Sequence, residues 1–301
     1  MTTGVEIRDG SVFAAAVDDE GRVATSAAVE SGGDAAAAAL AALERVSSGA
    51  SGSSALGIAA SSVDLPLTSR VVDAIRSRHA DRFRQQSVIG CGTAAALAES
   101  WVGAARGFAD VVYFGVEAHA HAGIVRDGRP SIGAHGQEPN VGWLALNPVE
   151  REDYRKSGCL NSEVAAVGIV RRLVWRIKAG DRSRVQDQVG SDLAAITHDL
   201  VLEAARARDG VSISVVRDTA KYLGMAAANL VVMTDPAMLV LGGIMASAAD
   251  LLLEPIVWEL GRRLPGPMMD ALKIATATLG PEAVVIGAAR SAQLANIGRP
   301  A

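Results

Sequence analysis

The chain has 301 residues, 50% of them hydrophobic, with 29 Lys+Arg against 33 Asp+Glu and a net charge of −4. That balance excludes a disordered chain and gives no basic surface for neutralising phosphates, so no nucleic-acid partner is expected. No run of about 18 residues is free of charges and turn signals, no basic leader precedes an apolar run, and two cysteines make no disulfide framework. The expectation is a globular, cytoplasmic protein with no membrane partner. In chain order, residues 5–17 alternate loosely, and 18–22 (Asp-Asp-Glu-Gly-Arg) lead into 23–29. Two β-patterned runs around an acidic turn with Gly predict a hairpin. An Ala/Leu-rich helix is predicted over 35–46, started by Asp34 and ended by the Ser/Gly-rich stretch 47–54. A strand over 56–60, a loop containing Pro66 and a helix over 69–84 follow, with Val71, Val72, Ile75 and His79 at helical spacing. A short strand over 87–89 runs through Gly90-Cys91-Gly92-Thr93 into an Ala-rich helix over 94–105.

Residues 111–115 read as a buried strand, and 123–125 as a strand entering the turn Arg126-Asp127-Gly128-Arg129. From Ser162 the spacing becomes helical, with Val164, Val167, Ile169, Leu173 and Ile177 in one apolar series. Leu193, Ile196, Leu200 and Leu202 make another. Arg171, Arg172 and Arg176 predict a solvated basic face, and His79 and His198 are expected to be structural or exposed. A helix over 214–232 stops at Thr234-Asp235-Pro236. The strand 238–241 then ends at Gly242-Gly243. A helix over 251–264, a strand over 274–278 and a helix over 283–295 complete the chain. Strands and helices alternate after an early hairpin, which predicts an α/β fold with two lobes.

Several segments resemble the ROK family (repressor, open reading frame, kinase), which has an actin-like, ribonuclease-H-like ATPase fold. They are 94–99 (Ala-Ala-Ala-Leu-Ala-Glu), 103–107 (Gly-Ala-Ala-Arg-Gly), 111–114 (Val-Val-Tyr-Phe), 123–128 (Gly-Ile-Val-Arg-Asp-Gly), 158–160 (Gly-Cys-Leu), 235–243 and 287–289. Each is weak alone, and seven in the family's order are specific. The resemblance implies an N-terminal ribonuclease-H-like lobe over 1–108 and a C-terminal one over 109–301, with the last helix packing back on the first lobe. It also implies a homodimer. The helix-turn-helix domain that ROK repressors carry ahead of this fold is not seen before the hairpin, so a direct transcription factor is not expected.

The departures from the family pattern are concentrated on one active site. Its Asp-x-Gly-Gly-Thr phosphate loop aligns with 6–11 (Glu-Ile-Arg-Asp-Gly-Ser), placing side chains where bare backbone should meet an anion. Its second, Gly-Thr-Gly-x-Gly phosphate loop aligns with 117–122 (Glu-Ala-His-Ala-His-Ala). Its Asn-Asp pair, which carries the general base, aligns with Gly90-Cys91. Its sugar-binding Gly-Glu-x-Gly-His aligns with 139–143, so Asn140 and Trp143 stand in that segment. Its zinc site is lost, with Trp143 at the His position and Cys159 alone among the thiols. These losses argue against ordinary sugar-kinase activity and against Mg-ATP as a cofactor, while Gly242 and Gly243 keep the adenosine-side segment.

Glu117, His119 and His121 alternate with alanine, so an extended segment would set all three on one face, with His135 and Glu138 following across a turn. A divalent metal site on His119, His121 and His135, acid–base work on a sugar derivative, or plain polar filling are the open readings. Cys91 is either a nucleophile activated by a helix N-terminus or a small buried hydrophobe. Trp143 either packs where zinc would staple the loop or stacks on a sugar. The expectation is a sugar-kinase homologue that keeps a site for a carbohydrate-like molecule in a sensor or regulatory role. The alternatives are new chemistry by the Glu117/His119/His121/His135 group and a divergent active kinase.

Overall fold

A computed structural model describes residues 1–47, 55–61, 66–135 and 137–297. Most of the predicted Ser/Gly-rich stretch, 48–54, and the segment 62–65 ahead of Pro66 lie outside them. The chain packs into two compact units. Unit 1 holds Met1–Tyr113, Ala122–Pro139 and Ala277–Ala301, and unit 2 holds Phe114–His121 and Asn140–Thr276.

The first predicted strand is two strands. β1 (Thr2–Arg8) and β2 (Ser11–Val17) are antiparallel and joined at Asp9-Gly10, followed by β3 (Val23–Glu30). Gly10 has φ +82° with open space around it, so backbone freedom alone calls for glycine there. Alternation was weak because β1 is buried along nearly its whole length as a central strand. α1 (Ala35–Ser47) begins where the Asp34 carboxylate accepts from the Ala37 N–H at 3.0 Å. β4 (Ala55–Ala60) pairs parallel to β1, and the sheet runs β3-β2-β1-β4-β5 with β5 at Gln85–Gly90. α2 (Pro66–His79) starts earlier than expected because Pro66 sits in the first turn, where its missing N–H costs nothing. It packs Val71 and Ile75 on Leu43, Leu56 and Ile58.

α3 (Cys91–Trp101) follows β5 directly. A second five-stranded sheet has the order β10-β9-β6-β7-β8. Its strands are β6 (Val111–Val116), β7 (Ala120–Arg126), β8 (Arg129–Pro130), β9 (Met238–Gly243) and β10 (Lys273–Thr276). Asp127 and Gly128 both have positive φ and make the tight reversal between β7 and β8.

Unit 2 is mainly helical. α4 (Glu152–Ser157), α5 (Cys159–Val164), α6 (Ala166–Lys178), α7 (Arg184–Gln188), α8 (His198–Arg206) and α9 (Gly210–Thr234) precede β9, with α10 (Ile244–Ser247), α11 (Ala249–Gly261) and α12 (Gly266–Ala271) after it. The predicted apolar series from Val164 to Ile177 is broken at Ala165, whose ψ of 162° ends α5. Val167 therefore leaves the buried face and is 71% exposed. The next series divides into a 3-10 turn, Leu193–Ala195, and α8.

α9 is capped by Asp209, whose carboxylate accepts from Ser212 N at 2.8 Å, Ser183 Oγ at 3.0 Å and Arg184 N at 2.9 Å. Burial alone would raise its pKa, and the N–H groups of Arg184 and Ser212 outweigh that and lower it. Its contribution is present above the ordinary carboxylate range and is lost as pH falls through the lowered value. Asp209→Ala is expected to cost about 2 kcal/mol in urea denaturation at neutral pH. A loss below a few tenths would mean the cap is idle.

In unit 1, α13 (Ala283–Ile297) lies across β1 and β4 and against α3. The approach is backbone to backbone: a Cβ at Gly57 would overlap the Ala288 carbonyl, and one at Gly287 the Ala94 carbonyl.

Candidate functional site

In unit 1 the site residues gather where β5 becomes α3. Gly90 is the N-cap and offers no side chain, so another group must satisfy the first N–H groups of the helix. Glu138 does so. Its carboxylate accepts from Thr93 N and Thr93 Oγ1, each at 3.0 Å. A Cβ at residue 90 would overlap that carboxyl group, so only glycine leaves room for it. The first turn of α3 is also pressed on β7, since a Cβ at Gly92 would overlap the Ala122 backbone. Burial pushes the Glu138 pKa up from 4.5 to about 7, against the lowering effect of Thr93 and the Gly92 N–H. The carboxyl group therefore titrates at working pH in the first turn of a helix.

Cys91 occupies the first helical position and is half-buried. His135 sits in an exposed turn of the same unit. The segment aligned with the first phosphate loop is the β1–β2 reversal. There Arg8 pairs with Glu6 at 2.6 Å, donates to the Pro281 carbonyl at 2.7 Å and lies over the Phe13 ring. Side chains that hold each other fill this turn.

The remaining candidates fall in unit 2. The extended geometry expected for Glu117, His119 and His121 is not present. Residues 117–119 form a bend closed by Glu117 N donating to His119 O at 3.1 Å, and only His121 lies on β7. Glu117 and His119 are exposed. Burial lowers the His121 pKa, against the opposing Glu117 charge, so its imidazole is neutral at pH 7. The bend is anchored by a residue the sequence did not single out: Asn161 Oδ1 accepts from Ala120 N at 2.7 Å. Gly243, with φ +60°, ends β9 beside Val116 and Glu117, where a Cβ would overlap the Val116 carbonyl. The retained Gly242-Gly243 pair thus has an acid for a neighbour where a phosphate loop is expected.

Asn140 caps a 3-10 turn, Val141–Trp143, and is exposed. That turn packs on α5, as a Cβ at Gly142 would overlap the Asn161 side chain. Trp143 is 53% exposed, so it does not pack in place of a zinc staple. Cys159 is buried, and with Trp143 at the His position this pair does not fit a tetrahedral zinc. Among the described residues no three His, Cys, Asp or Glu side chains are grouped to hold a metal ion.

The predicted solvated basic face is an ion-pair network instead. Glu163 on α5, 4% exposed, takes Arg151 at 3.3 Å, Arg172 and the Tyr154 hydroxyl. Asp153 takes Arg151 at 2.8 Å and Arg171. Arg176 pairs with Asp181 and donates to Ser214 Oγ at 3.1 Å.

Two mixed α/β sheets of this topology, with the last helix returning to the first sheet, are those of the actin-like ATPase fold. A ROK glucokinase from Streptomyces griseus, solved with glucose and AMPPNP, superposes with a TM-score of 0.81 at 24% identity, covering 97% of this chain and 99% of that one. A ROK transcriptional regulator, a homologue of the E. coli MLC protein, gives 0.83 at 20% identity, over 97% of this chain and 77% of that one. The chain belongs to the ROK family, whose model matches residues 92–294. The match begins just after Cys91, so the first phosphate-loop segment and the Gly90-Cys91 pair lie outside it. A glucokinase from Halalkalibacterium halodurans is 32% identical over 198 residues, 64% of this chain and 59% of that protein. The E. coli DNA-binding transcriptional dual regulator NagC is 28% identical over 178 residues, 58% of this chain and 42% of the regulator. The chain thus spans less than two thirds of these relatives.

Proposed function

We propose that this ROK protein binds a carbohydrate-like small molecule, in a sensor or regulatory role, and does not phosphorylate it. The observation that carries this reading is the Glu138 carboxylate seated on α3 beside Gly90. The family resemblance puts its Asn-Asp pair at Gly90-Cys91, so a different acid, held by Thr93, fills the space beside the missing base. Two further observations support it. Arg8 and Glu6 close on each other at the first phosphate-loop segment, and Glu117 stands beside Gly243 at the second. The Arg8–Glu6 pair fills the first segment and Glu117 repels phosphate at the second, while phosphoryl transfer depends almost wholly on positioning and charge stabilisation.

Sugar recognition asks less of a site. It needs acceptors and donors at fixed places, such as the exposed Asn140 amide, and an aromatic face such as exposed Trp143, both in the short 3-10 turn of unit 2. Relatives carrying the names glucokinase, N-acetylglucosamine repressor and xylose repressor support a neutral sugar as the ligand class. Calorimetric titration with a panel of hexoses, pentoses and N-acetylhexosamines tests this. At least one sugar is expected to bind, and Asn140→Ala and Trp143→Ala are each expected to weaken it about tenfold, or about 1.4 kcal/mol. Binding by none of them at millimolar concentration would refute the reading.

A further inference from the structure

A cavity of about 530 Å³ lies wholly within unit 2, walled by Arg151, Arg172, Trp175, Lys221, Tyr222 and Arg263. Its size is that of a small-molecule site. None of Glu117, His119, His121, Asn140, Trp143, Gly242 or Gly243 lines it.

Its walls are over-supplied with positive charge. Around Glu163 and Asp153 stand three guanidinium groups, Arg151, Arg171 and Arg172. Around the buried Glu259 stand two, Arg262 at 3.8 Å and Arg263. Exposed Lys221, also in the lining, follows Asp218 by one turn of α9. Of the charged side chains that line the cavity itself, four are cationic (Arg151, Arg172, Lys221 and Arg263) and two are carboxylates (Glu163 and Asp218), an excess of two positive charges. A dianion in the cavity would balance both.

The donors are also pre-set. Arg151 and Arg171 each lie with Cζ 4.7 Å from the centre of the Trp175 ring, and Arg172 lies 5.5 Å from that of Tyr222. Cation–π contact holds these long side chains in place before any ligand arrives. Arg172 directs Nη1 to Thr219 Oγ1 at 3.0 Å and Nη2 to Glu163, and a guanidinium has five N–H groups in all. Planar guanidinium pairs beside a mobile ammonium suit the tetrahedral oxygens of a phosphate. Half-exposed Trp175, with Leu146 and Met225, supplies an apolar wall for the carbon skeleton.

We propose that this cavity binds a small dianionic ligand of the phosphomonoester class. The test is calorimetric titration at low ionic strength with glycerol 3-phosphate and glucose 6-phosphate, alongside inorganic phosphate and free glucose. At least one ester is expected to bind in the presence of saturating free glucose, and more tightly than inorganic phosphate. Lys221→Glu changes an exposed side chain and leaves the buried pairs intact. It is expected to weaken the ester at least tenfold, and Trp175→Ala to do so as well, with circular dichroism unchanged. Added salt should weaken binding progressively. No ester binding at millimolar concentration would overturn the proposal, as would displacement of the ester by glucose, affinity no higher than for phosphate, or full affinity in Lys221→Glu.

Discussion

Glu163→Ala is expected to cost about 3–5 kcal/mol of folding stability, a large part of what a domain of this size has. Glu163 is the shared acceptor for Arg151, Arg172 and the Tyr154 hydroxyl, and its removal leaves those donors facing one another in a poorly solvated place. Asn147 bridges the Tyr154 and Tyr222 hydroxyls at 3.2 and 3.4 Å, so the disturbance extends from α4 to α9. Glu163→Gln keeps the acceptor oxygen but loses the charge, and it should fall between wild type and alanine. Urea denaturation measures both. The same network spans residues 151–172, which include the only retained zinc thiol of the family pattern, so a chelator is expected to leave the melting temperature unchanged. A Glu163→Ala loss below about 1 kcal/mol, or a chelator-sensitive melt, would show that something else holds this segment.

The second large effect is the pH dependence set by Glu138. A carboxyl group whose pKa is raised on folding, here from 4.5 to about 7, stabilises the fold less as pH rises. Its contribution is fully present below 4.5 and is lost as pH rises through about 7. At about 1.4 kcal/mol per pKa unit, the difference amounts to roughly 3 kcal/mol at pH 8. Glu138→Gln keeps an oxygen for Thr93 N and Oγ1 and cannot ionise. It is therefore expected to be more stable than wild type at pH 8 by about 2–3 kcal/mol and close to wild type at pH 5. Melting curves at the two pH values decide it. Parallel profiles for the two proteins would mean that Glu138 ionises as an ordinary surface acid.

The architecture was largely readable from pattern. A four-residue apolar run before Gly242-Gly243 is β9, Thr234-Asp235-Pro236 ends α9 through a left-handed Asp235, and the family resemblance supplied the overall class. The errors have physical causes. β1 is buried along nearly its whole length, so period-two alternation did not separate it from β2. Glu117-Ala118-His119-Ala120-His121 alternates like a strand, but a short backbone hydrogen bond across the first three residues bends it. Arg171 and Arg172 looked like a solvated stripe because a helix pattern shows which charges share a face and not what that face meets. Glu138 reads in the sequence as one of a loose group, since its pairing with Thr93 joins positions 45 residues apart. A glycine directly ahead of α3, with no capping side chain of its own, was the available signal that a distant acceptor was needed.

The most direct test of the central claim is sugar-dependent ADP release from the purified protein with Mg-ATP and the full sugar panel. The proposed reading, in which the family resemblance puts Cys91 at the base position and substituted segments at both phosphate loops, predicts no release above the sugar-free rate. Sugar-dependent turnover in the ordinary kinase range of about 1–100 s⁻¹ would contradict it and make this chain a working carbohydrate kinase.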